Sequence, residues 1–144
     1  MTMRHTVMIG PLALALVASA GSAWGQVADY KVVGDGIPQS LTGKPGDAQR
    51  GRALLVKRGA ANCLTCHSIK DKDMQPVGKR GPALDGVGAA LTPAQLRLSV
   101  VDFSRVTRGA AMPSFHKSGL GQGSAPALSA AEVEDVVAYL ASLK

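Results

Sequence analysis

Two cysteines and a histidine fall within five residues, Cys63-Leu64-Thr65-Cys66-His67, and the other 139 positions hold no further cysteine. This stretch constrains the fold more than any other. On a helical turn the two thiols stand at i and i+3 and the imidazole at i+4, near one face. The rest of the chain must therefore arrange itself around whatever those three groups hold. Such a run can be a redox dithiol, half of a zinc site, or the covalent anchor of a haem.

Those readings can be weighed on the residues alone. Zinc takes four ligands, or three and a water. Once an N-terminal leader is removed, the chain offers only Cys63, Cys66, His67 and His116. A thioredoxin-like dithiol expects a βαβ setting, and no alternating strand pattern is present. A disulfide across two intervening residues closes almost no loop and leaves His67 without a role. The haem reading uses all three groups: two thioether links to one porphyrin and an imidazole on its iron, the attachment signature CxxCH.

The leader itself follows from residues 1–25. Arg4 gives a positive start, "VMIGPLALALVASA" runs from Val7 to Ala20 without a charge, and small residues follow. Cleavage is expected at Gly21-Ser22-Ala23 or Ala23-Trp24-Gly25. The apolar run is too short for a membrane span, so it reads as a secretory signal peptide and places the mature chain in the periplasm. No other stretch is long and apolar enough to cross a bilayer. Removing 25 residues leaves 119, one domain's worth, with a net charge of +5 in place of +6. An exported protein meets little nucleic acid, so the basic excess points to solubility or to steering an acidic protein partner.

Core material is scarce. After the leader only Tyr30, Phe103, Phe115 and Tyr139 are aromatic, and the full chain has 17 Gly and 8 Pro. Aromatic side chains often dominate a packed interior, so a bound group has space to fill. Residues 26–46, which include "VADYKVVGDGIPQSLTGKPG" (27–46), read as an extended N-terminal arm lying over another surface. The following domain, 47–144, reads as all-α with short helices and long loops. Asp47 caps a helix over 48–58 that Gly59 ends. Residues 71–90 read as a Gly/Pro-rich loop. Thr92-Pro93-Ala94-Gln95 starts a second helix, with Leu96, Val100 and Phe103 at helical spacing. Residues 104–127 are irregular, and Gly119–Gly123 is a plain loop with no strand or lysine to make it a phosphate cradle. Ser129-Ala130-Ala131-Glu132 is a capping box opening the last helix. Its apolar face is Val133, Val136, Val137, Tyr139 and Leu140, and Glu132, Glu134 and Asp135 suit the positive helix end.

Iron held by His67 has a second axial position. Beyond the leader the sulfur candidates are Met74 and Met112, with His116 as the nitrogen alternative. Met74 is seven residues past His67, a reach of roughly 23–25 Å fully extended, barely enough to round a porphyrin edge. Met112 stands 45 residues downstream, and Pro113 holds it out of helical conformation. Met112 is the expected sixth ligand and His116 the competitor. The Pro82 carbonyl, in Lys79-Arg80-Gly81-Pro82, is the expected acceptor for the second ring N–H of His67.

With Asp47 to Gly51, CLTCH, Gly81-Pro82, Met112-Pro113 and the final helix in view, the chain resembles class I cytochromes c. Segments 30–55, 96–103, 111–115 and 128–143 resemble the SoxX family in particular, the monohaem subunits of SoxAX cytochromes; "GDGIPQSLTGKPGDA" (34–48) is the most specific of them. The resemblance implies that the first and last helices cross closely, with Gly51 near Tyr139. It implies haem c on Cys63, Cys66, His67 and Met112, oriented by Pro82. It further implies a SoxA-like haem subunit as heterodimer partner, where thiosulfate is joined oxidatively to a cysteine of the SoxY carrier (SoxYZ). This chain would then relay the electrons to a downstream cytochrome. A free-standing periplasmic electron carrier is the alternative.

Overall fold

A computed structural model describes residues 27–57, 61–74, 78–117 and 126–144. The signal peptide, the helix stop at Gly59 and the loop Gly119–Gly123 lie outside the described residues. Among the described residues four α-helices occur in order: α1 (Ala48–Leu54), α2 (Val87–Ala90), α3 (Pro93–Asp102) and α4 (Ala130–Ser142). Short 3-10 turns lie at Cys63–Thr65 and Phe103–Arg105. Among the described residues the only extended pairing is an isolated bridge between Val33 and Gly36. No helix among them is long and apolar enough to cross a membrane.

The helix starts are those their sequences encode. The Asp47 carboxylate accepts from the amides of Gln49 and Arg50. Thr92 and Ser129 both form reciprocal capping boxes, with Gln95 and Glu132. Each satisfies orphan amides of a first turn. The expected end of α1 is not observed: the helix stops at Leu54, where Leu55 N–H turns back to Arg52 O at 3.3 Å. The tighter turn drops Leu55 fully into the core. α2 falls inside the segment expected to be loop. One turn is too short to show a period, and tertiary contacts hold it: Gly88 N–H donates to Leu143 O at 2.8 Å.

α1 packs most extensively on α4, and α3 and α2 pack on α4 as well. Gly51 makes the α1–α4 crossing possible. A Cβ there would lie 1.9 Å from the Asp135 carbonyl oxygen and 2.9 Å from Tyr139 Cβ. Around this crossing Leu55, Leu96, Val101, Leu128, Val133 and Val136 are almost wholly excluded from solvent.

Two acidic residues of α4 do a different job from the one expected of them. Only Glu132 serves the helix end. Glu134 is buried and takes two hydrogen bonds from Arg97, at 2.7 and 2.9 Å, and one from the Leu41 amide at 2.9 Å. Asp135 takes Arg50 at 2.7 and 2.9 Å and the Asp47 amide at 2.7 Å. Burial alone would raise the Asp135 pKa, but the Arg50 guanidinium and the Asp47 amide hold it below the usual carboxylate range. Through Glu134 and its partner Arg97 residues 27–46 are fastened across α3 and α4. Ile37 is 1% exposed, its amide donates to Ala94 O at 2.9 Å, and its carbonyl accepts from Arg97 at 2.7 Å.

Candidate haem site

Residues 61–67 form the base of the site. Asn62 takes a positive φ of 28°, a conformation asparagine tolerates better than most residues, and turns the chain into the 3-10 segment at Cys63. Leu64 anchors that segment at 2% exposure. The amides of Cys66 and His67 both donate to Cys63 O, at 3.1 and 2.9 Å. This single turn presents Cys63, Cys66 and His67 together, all partly exposed.

The following loop is laced onto the turn through backbone. Arg80 and Gly81 amides donate to Cys66 O, both at 2.9 Å, and the Leu84 amide to Ser68 O at 2.9 Å. Gly78 N–H reaches Leu64 O at 2.7 Å. The Lys70 amide closes the set on the Asp85 carboxylate at 2.9 Å. The lacing places Pro82 O 2.8 Å from His67 Nδ1. Nδ1–H therefore donates to that carbonyl, and Nε2 keeps its lone pair with no protein partner among the described residues. Gly81 backs the ring: a Cβ there would stand 2.6 Å from His67 Cε1 and 2.7 Å from Nδ1. The sequence offered Pro82 as an acceptor, but not Gly81 as the reason the loop can press against the ring.

The three candidates for the second axial position are in different states. Met74 is 2% exposed in the core, and its sulfur accepts the Tyr139 hydroxyl at 3.5 Å. His116 is wholly buried with both nitrogens engaged: Nδ1 donates to Leu128 O at 2.8 Å and Nε2 accepts the Ala28 amide at 2.9 Å. Met112 is partly buried and packs against the same core cluster as Cys63. Its loop is fixed by Phe115 N–H to Val100 O at 3.2 Å and by Ser114 Oγ to Asp102 Oδ1 at 2.8 Å.

The other chemistries suggested by two nearby thiols find no support in this setting. Cys63 and Cys66 are not disulfide-bonded. Burial pushes the Cys63 thiol up to about 11, whereas reactive thiols sit in environments that lower it. Among the described residues no cluster of three His, Cys, Asp or Glu side chains could hold a metal ion. What the turn does fit is haem c: two thiols on one face, and an imidazole whose outer nitrogen is fixed and whose inner nitrogen is unclaimed.

The comparisons with known proteins agree. The chain belongs to the cytochrome c family, whose model, "Cytochrome c", matches residues 48–144, and that family's covalent haem c is its cofactor, with which the CxxCH run is consistent. It is similar to a solved structure, the crystal structure of SoxXA from P. pantotrophus, at 35% identity and a TM-score of 0.74. That match covers 80% of this chain and 94% of the other, which makes the chain a SoxX-like class I cytochrome c. No curated protein sequence matches it.

Proposed function

We propose that this chain is the electron-transfer subunit of a periplasmic SoxAX complex, in which a SoxA-like haem subunit links thiosulfate oxidatively to a cysteine of SoxYZ. The observation that carries the proposal is the SoxXA likeness, which extends over most of both chains, well beyond the motif shared by all cytochromes c. In this reading the protein is an L-cysteine S-thiosulfotransferase only as a complex, because its own two thiols are consumed by the cofactor. The signal peptide of residues 1–25 supplies export to the compartment where attachment takes place.

Cys63 and Cys66 would hold the haem covalently, and His67 Nε2 would hold its iron. Haem c, when bound, supplies a one-electron iron couple. Pro82 O fixes the tautomer and the plane of His67, and Gly81 lets the loop close against the ring. We assign the sixth position to Met112. This rests on the competitors being spoken for: Met74 sulfur by Tyr139 in the core, and both His116 nitrogens by Leu128 and Ala28. A thioether ligand raises the reduction potential relative to a second imidazole, which suits an acceptor of electrons from a partner chain.

Co-expression with a SoxA-like subunit tests the assignment. A stable heterodimer of the two haem proteins, passing electrons to an added cytochrome when thiosulfate and SoxYZ are supplied, is the expected result. A lone monomer that never co-purifies with the partner returns the chain to the class of free-standing carriers. Haem staining of the denatured chain checks attachment, and an intact mass beginning near Gln26 checks export. Met112→Ala should remove the weak far-red thioether-to-ferric-iron band.

A further inference from the structure

The 103–117 excursion that carries Met112 leaves α3 at Asp102 and is tied back to the helix there by its side chains, besides the backbone bond of Phe115 to Val100. The Asp102 carboxylate is wholly buried. Oδ1 accepts from the hydroxyls of Ser104, at the start of the excursion, and Ser114, near its end at 2.8 Å. Oδ2 makes no aligned hydrogen bond, and its compensation is ionic, from Lys117 and from Arg105 at 3.5 Å. One carboxylate thus collects both ends of the loop. Its position is unfavourable for the helix, since an anion at a C-terminus opposes the macrodipole and a buried charge costs heavily unless paired. Helix stability does not account for it. Charge-assisted bonds to the loop do, because they are shorter and stronger than neutral ones.

We infer that Asp102 is a positioning residue for Met112: acting through Ser114, two residues beyond it, the buried carboxylate sets how firmly the loop presents the thioether. The inference rests on Met112 being the sixth ligand. Without the Asp102–Ser114 bond the fold persists, but the loop yields more readily, and an external base competes for the iron position more successfully.

The test uses the haem-loaded protein and imidazole as the probe, followed through the far-red band of the ferric form. Ser114→Ala and Asp102→Asn should raise imidazole affinity, the former roughly tenfold, the scale of one lost hydrogen bond to a charged group. Ser114→Thr, which keeps the hydroxyl, should restore the wild-type value. Val101→Ala, a core truncation one residue away, should lower the melting temperature without changing imidazole affinity. Wild-type affinity in Ser114→Ala, with the band lost in Met112→Ala, overturns the role of Asp102 alone. A band that survives Met112→Ala overturns the ligand assignment and this inference with it. Should Asp102→Asn fail to fold, Ser114→Ala decides.

Discussion

Where α1 crosses α4, backbone meets backbone and two buried or half-buried ion pairs flank the contact; around His67, loops are tied to one short turn by single hydrogen bonds. The first region has Gly51 against the Asp135 carbonyl, Arg97 on Glu134 and Arg50 on Asp135. The second has Pro82 O on His67, and Gly81 and Arg80 on Cys66 O. The difference separates two tasks. Losing a partner should cost most at the crossing, where charges are buried, and the loops serve to aim a few atoms.

Substitutions can sharpen or break that contrast. Glu134→Ala should cost most, about 3–5 kcal/mol by urea unfolding, since it strands Arg97 in the core and frees the Leu41 amide. Gly51→Ala comes next. Its methyl would enter the space of the Asp135 carbonyl, and overpacking of that kind costs about 1–3 kcal/mol. Preserved stability in either variant would remove the crossing from its place as the fold's main support.

Asp102 gives a pH signature of intermediate size. Burial alone would raise its pKa, but Lys117, Ser104 and Ser114 outweigh that and hold it at about 2, against an ordinary value of 3.8. The folded form therefore keeps its charge after the unfolded chain has taken up a proton. The stabilisation, about 2 kcal/mol, is fully present above the unfolded value and is lost as pH falls from about 4 toward 2. Urea midpoints of wild type and Asp102→Asn should converge across that window; a constant gap would show that the charge is not what stabilises.

Ser129→Ala should cost about 1 kcal/mol through loss of the α4 cap. Gly81→Ala should cost no more than about 1 kcal/mol, because the half-exposed His67 ring can turn aside into a less favoured rotamer. Its main effect should be on the haem spectrum and reduction potential, as the ring leaves Pro82. If Gly81→Ala unfolds the protein as readily as Gly51→Ala, the division of labour between crossing and loops fails.

Much of this was legible in the linear order of residues because it is local. Capping boxes, the apolar face of α4 and the Cys63–His67 turn each depend on side chains within a few positions of one another, and short-range geometry dictates them. The Pro82 contact was anticipated because a ligating histidine needs an acceptor and a stiff loop follows the turn. Asp102 had a signal that passed unread, an acid on the wrong end of a helix.

Other features depend on partners far away in the chain. α2 is one turn that exists because Leu143 receives Gly88. Glu134 and Asp135 look like ordinary helix-end acids until Arg97 and Arg50 arrive from other helices. Nothing near His116 in sequence says that Ala28, 88 residues away, takes its second nitrogen. Residue types and spacing singled out the atoms proposed to hold the cofactor, since covalent attachment needs only one turn of chain. Only tertiary packing decided which sulfur and which imidazole are left free, because that depends on who reaches each of them first across the fold.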